Sequence, residues 1–127
     1  MATQQNLKGL SYEAGADLSA AQYTFMTLDA TDPSRVIQQS VAGASCVGVL
    51  RTTASAAGRA VTVDGAPGTV VKVVAGATLA AGVKVQSDGS GRAILAATAD
   101  HVQGKALEGG VINQVIEVLL MSEHILA

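Results

Sequence analysis

From residue 45 to residue 121 the chain is a succession of short Val- and Ala-rich runs, each closed off by glycine. No window of helical length escapes those glycines, and β-branched residues, which lose rotamer freedom in a helix, dominate the runs. The pattern predicts strands over 46–51, 60–63, 69–74, 83–86, 93–97, 102–106 and 114–121. Between them stand Gly58, Asp64-Gly65, Pro67-Gly68, Gly76, Gly82, Asp88-Gly89-Ser90-Gly91 and Gly109-Gly110. Asp-Gly pairs supply the positive φ of tight hairpins. Upstream, 22–28 alternates Tyr23 and Phe25 against Thr24 and Met26. Asp32-Pro33 then breaks the run, and 35–39 returns as the second arm of a hairpin. Regular short strands with glycine turns give an all-β fold, a small β-barrel or β-sandwich.

A chain of 127 residues suits one domain. Its apolar fraction is 49%, yet Tyr12, Tyr23 and Phe25 are the only aromatics, so the core must be built from alanine and valine. Such side chains bury little area each, and at about 25 cal/mol per Å² a lone Ala-rich core stabilises weakly. Association of several copies would add what the core lacks. Residues 1–20 are polar and lack a clean period, and they read as an extended N-terminal arm, leaving 21–127 as the β-domain.

Charge and cysteine content exclude several classes. The net charge is −2, with basic and acidic residues interspersed and no basic stripe, so nucleic acid is not an expected partner. The start of the chain has no basic and apolar leader, so synthesis in a cytoplasm is expected. The least polar stretch, 73–83, is far below the roughly 20 residues that span a bilayer, and no membrane partner is expected. Cys46 is alone, which rules out an internal disulfide.

Groups able to do chemistry are sparse. His101 follows Asp100 and His124 follows Glu123, but neither lies at ligand spacing from another histidine or from Cys46. Cys46 sits among valines, as a buried inert thiol would. Gly89-Ser90-Gly91-Arg92 lacks the lysine of a phosphate loop and precedes a strand, so it reads as a hairpin turn. Gly43-Ala44-Ser45 lacks the second glycine of a nucleophile elbow. Asp29 and Asp32 offer too few oxygens for calcium. Lys84, between Val83 and Val85, has the setting of a biotinyl or lipoyl carrier lysine, but the flanking methionines of the biotin type are missing. The expectation is therefore no enzyme, no cofactor and no metal.

Much of the chain resembles the phage capsid cement or head decoration proteins, in the group related to trimeric head-fibre proteins. The resemblance rests on the order and spacing of several pieces. They are Gly15-Ala16-Asp17-Leu18-Ser19 leading into Gln22-Tyr23-Thr24-Phe25, Val47-Gly48-Val49-Leu50, and Ala57-Gly58 before Val61-Thr62-Val63-Asp64-Gly65. Further on come Val73-Val74-Ala75-Gly76-Ala77, Val83-Lys84-Val85-Gln86-Ser87-Asp88-Gly89-Ser90-Gly91-Arg92-Ala93, Gly104-Lys105-Ala106-Leu107-Glu108 and Ile116-Glu117-Val118-Leu119-Leu120. The resemblance implies a β-barrel-like homotrimer, made in the host cytoplasm, that binds the major capsid protein on the outer surface of a mature head, with no enzymatic activity. In that group the N-terminal arm takes part in capsid contact, which nominates Asn6, Leu7, Lys8, Leu10 and Tyr12 here. A head-attached module that binds host glycans is the alternative, and the scarcity of aromatics to stack on sugar rings stands against it.

Overall fold

The computed structural model describes residues 9–127. Ten strands and no helix are found among them: β1 Leu10–Ala14, β2 Phe25–Leu28, β3 Arg35–Gln38, β4 Gly48–Leu50, β5 Ala60–Asp64, β6 Val70–Val74, β7 Lys84–Ser87, β8 Ala93–Leu95, β9 His101–Ala106 and β10 Val115–Ile125. The first five close into a barrel in the order β1-β3-β2-β4-β5, and the last five form a sheet in the order β6-β10-β9-β7-β8. The all-β expectation is therefore met by a barrel with a second sheet laid against it.

Alternation along β2 and β4 explains how the two layers become one body. Phe25 and Val49 are cross-strand partners, and both belong to the core made with Val71, Val73, Val85, Ile116 and Val118 of the second sheet. The next residues, Met26 and Leu50, point the other way into a barrel interior filled by Ala14, Leu18, Val36, Val61 and Val63. Phe25, Met26 and Leu50 are all fully buried. A strand buried on both faces must be apolar at successive positions, and Phe-Met in β2 and Val-Leu in β4 satisfy this.

Glycines sit where backbones approach most closely, within the barrel and between the layers. Gly48 has φ +152°, and a Cβ there would run into the Asp64 carbonyl of β5. The turn after β7 is built by Asp88, whose Oδ1 accepts the amides of Ser90 and Arg92, each at 2.8 Å. It then docks on the barrel, where the Phe25 amide donates to the Gly91 carbonyl at 2.7 Å. The hairpin read at 88–91 is thus also an inter-layer contact. By contrast, Asp64-Gly65 closes no hairpin: β5 pairs with β1 and β4 while β6 pairs with β10, so this turn carries the chain from barrel to sheet.

The expected arm over residues 1–20 needs correction from Leu10 onward. β1 pairs antiparallel with β5 from Leu10↔Val63 to Glu13↔Ala60 and parallel with β3, and Ala14 and Leu18 are buried in the barrel interior. The scattered leucines gave no period because only five residues of this stretch are strand. The next buried side chain, Leu18, is held through a loop, with its amide bonded to the Ala54 carbonyl at 2.8 Å.

If one wall serves both cores, removing its largest side chain weakens both together. Phe25→Ala is expected to lower stability by about 3–5 kcal/mol while unfolding stays a single transition in urea, followed by far-UV circular dichroism and by amide NMR signals from both layers.

Candidate interaction surface

The free edge of the second sheet is β6, and its hydrogen-bonding parity follows from its ends. Leu120 donates to the Thr69 carbonyl at 2.9 Å and Ala75 to the Gln114 carbonyl at 2.8 Å. Counting in twos between these bonds puts Val71 and Val73 in the bonded pairs with Val118 and Ile116. The backbone groups of Val70, Lys72 and Val74 therefore face away from β10. The Val74 amide meets the Tyr23 carbonyl at 2.9 Å. Tyr23 stands at the start of β2 with φ +63°, a conformation uncommon for a non-glycine residue. It turns the chain into the barrel wall, so the cover it gives β6 stops at Val74.

Beyond Tyr23, between the rest of the β6 edge and the barrel, lies a cleft of about 490 Å³ lined by Tyr23, Leu50, Arg51, Asp64, Val70 and Lys72 among others. This is within the roughly 300–1,000 Å³ of clefts that take ligands. Lys72 Nζ stands 5.9 Å from the centre of the Tyr23 ring, a cation–π distance. Asp64 is only 9% exposed. Its Oδ2 is 3.6 Å from Arg51 Nε, while its buried Oδ1 has no hydrogen-bond partner. Burial raises the Asp64 carboxyl above its ordinary value, and Arg51 offsets only part of that. Asp64 thus lines the cleft with a half-satisfied, largely buried carboxylate.

The same edge borders the outer face of the sheet. The register puts Val70 and Leu119 beside Lys105, Lys72 beside Glu117, Val74 beside Val115, and Lys84 opposite Lys105. Val70, Leu107 and Val115 are exposed aliphatics on this face. Lys72, Lys84 and Lys105 enter none of the ion pairs found among the described residues, and the acid beside Lys72 on this face is Glu117.

The residues singled out in the sequence fall elsewhere. Leu10 and Tyr12 are half-buried on β1, with Tyr12 packed against the barrel core. Asn6, Leu7 and Lys8 lie outside the described residues. Lys84 opens β7 rather than capping a hairpin, and its Nζ is 3.2 Å from His124 Nε2. Groups of three or more His, Cys, Asp or Glu arranged to hold a metal are absent among the described residues.

One polar cluster does gather Ser45, Cys46, His101, Gln103 and Glu123. Its connectivity is that of a clamp. The Glu123 carboxylate accepts the Ser45 hydroxyl at 2.7 Å, the Cys46 amide at 3.0 Å and Gln103 Nε2 at 2.6 Å, and lies 3.3 Å from His101 Nδ1. It pins the barrel-side segment before β4 to β9 and β10. Burial by itself would raise this carboxyl, but Gln103, Ser45, the Cys46 amide and His101 together hold it below its ordinary 4.5. Burial pushes the Cys46 thiol up to about 11, against a hydrogen bond from Gln39, the reverse of what activates a nucleophile. Sequence reading missed the clamp because its members are distant in the chain, and it missed the cleft because edge parity is fixed only by pairing.

No family model matches the chain, and no curated protein matches it in sequence. Among solved structures it is similar to the N base of head fiber gp8.5 in bacteriophage phi29, with a TM-score of 0.70 at 18% identity, over 91% of this chain and 99% of that one. At that identity the likeness establishes a shared fold.

Two outcomes test the clamp. A carboxyl held below its unfolded value stabilises the fold above that value and stops doing so as pH falls through the folded one. Glu123→Gln is therefore expected to cost roughly 1–2 kcal/mol at neutral pH and to flatten the loss of thermal stability between about pH 5 and pH 3. Cys46 in the native protein is expected to resist iodoacetamide at pH 8 and to react once urea unfolds the chain, as mass spectrometry would show.

Proposed function

We propose that this chain is a structural protein of a phage virion, which binds the outer surface of the head as a trimer and cements or decorates the mature shell. The observation that carries the reading is the shared fold with a phage head fiber base over nearly the whole of both chains. The character of the surface supports it: exposed aliphatics and lysines on one sheet face suit contact with another protein, and Cys46, the one thiol, is not activated.

The physics of repeated weak contacts suits such a task. Three copies of one patch, held together and offered to a lattice that repeats its partner, engage in succession at high effective concentration, so modest contacts become long-lived. A site formed between neighbouring capsid subunits exists only in the expanded shell, and a protein that binds only that state stabilises it by mass action.

Sedimentation of the purified chain, followed by co-sedimentation with heads of the phage that encodes it, tests both parts. The expected results are a mass near three times the 12.7 kDa of one chain, saturable binding to expanded heads, and little binding to unexpanded ones. A monomer that ignores expanded heads overturns the reading. Silence on a glycan array alongside binding to heads supports the cementing reading, and binding to both favours the head-attached glycan-binding alternative.

A further inference from the structure

We propose that the cleft beside β6 is a strand-addition site, in which an extended, acid-bearing segment of a different polypeptide pairs with the free edge at Val70 and Lys72. The inference does not depend on the virion reading and would hold whatever assembly the chain serves.

Three features of the fold converge on this edge. Parity turns the Val70 and Lys72 backbone groups away from β10, and Tyr23 covers the edge only at Val74. Uncovered edges of β-prone sequence are templates for another strand, and Val-Val-Lys-Val-Val is strongly β-prone. The cleft is bounded on its other side by Leu50, Arg51 and Asp64. Finally, Asp64 lines the cleft, and its carboxylate is only half satisfied, since the buried Oδ1 lacks a partner. A small rearrangement would let an incoming donor meet it.

Side-chain alternation gives the occupant its chemistry. In an added strand, every second residue lies on the outer face in line with Val70 and Lys72, ending before Tyr23 at Val74, and the rest face the barrel wall. An acid opposite Lys72 is favoured there, because opposite charges in a cross-strand pair attract and like charges repel. The inward positions suit Thr or Ser, whose hydroxyl can donate to the Asp64 carboxylate on the far wall of the cleft. Charge argues against a second copy. β6 paired with β6 about Lys72 brings two lysines together, and the sheet's other edge strand, β8, is bridged to Ala75 at Ala93, follows Arg92 and carries no acid. It also argues against the residues before Gly9, which include Lys8 and neither Asp nor Glu.

The test uses the full chain and three blocked hexapeptides: VTETVT, its lysine counterpart VTKTVT, and VTETVT with N-methyl groups on the residues that bond the edge. Amide NMR is expected to show VTETVT bound below about 1 mM, with exchange of the Lys72 amide slowed at least about 10-fold. VTKTVT should bind more weakly and the N-methylated peptide not at all. Lys72→Pro removes an outward donor and leaves the β10 ladder intact, so it should abolish binding. Lys72→Glu, which keeps the backbone donor, should reverse the preference toward VTKTVT. Equal binding of all three peptides, or binding of none, overturns the proposal. So does a Lys72 amide already protected in the free protein: protection independent of concentration would assign the edge to the chain itself, and protection that grows with concentration would assign it to a second copy.

Discussion

The structure depends on one wall with two dry faces. Phe25 and Val49 give the second sheet something to pack on, and Met26 and Leu50 close the barrel interior behind them. Neither layer has many large side chains of its own, since most of the core is valine and alanine. Burying β2 and β4 twice makes each of their few large residues count toward a common interior. That is how a chain with three aromatics assembles ten strands without a disulfide.

Most of the strands were legible because period-two alternation and glycine punctuation are local. The runs read at 35–39, 60–63, 69–74, 83–86 and 102–106 correspond within a residue or so to β3, β5, β6, β7 and β9. Two things were not legible. β1 was read as arm because a five-residue strand with half-buried alternation leaves little trace beside polar neighbours. The end of β10 was read too short because its pairing with β9 shifts register between Leu120 and His124, and the strand continues through Ser122 and Glu123, whose polarity marks a loop in a sequence.

The surface was less legible than the fold, for a physical reason. Which side of a strand hydrogen-bonds is decided by its partner, so the open edge at Lys72 and the unmet oxygen of Asp64 exist only once β6 has chosen β10 over β5. Glu123 likewise looks like one more surface acid until pairing brings Gln103 and His101 alongside it and the barrel-side segment lays Ser45 on top. Residue types here carry little chemistry, and their placement carries most of it.

The order of strands in the second sheet bears on how the molecule is made. The five barrel strands end at Asp64, but β10, the last of the ten described strands, lies between β6 and β9 rather than at an edge. Until β10 has emerged and paired, the sheet stays open, and Phe25 and Val49 lack part of their cover. Vectorial synthesis thus imposes its own order on this fold: an early half that can close, and a second sheet that waits for an interior strand made after its neighbours.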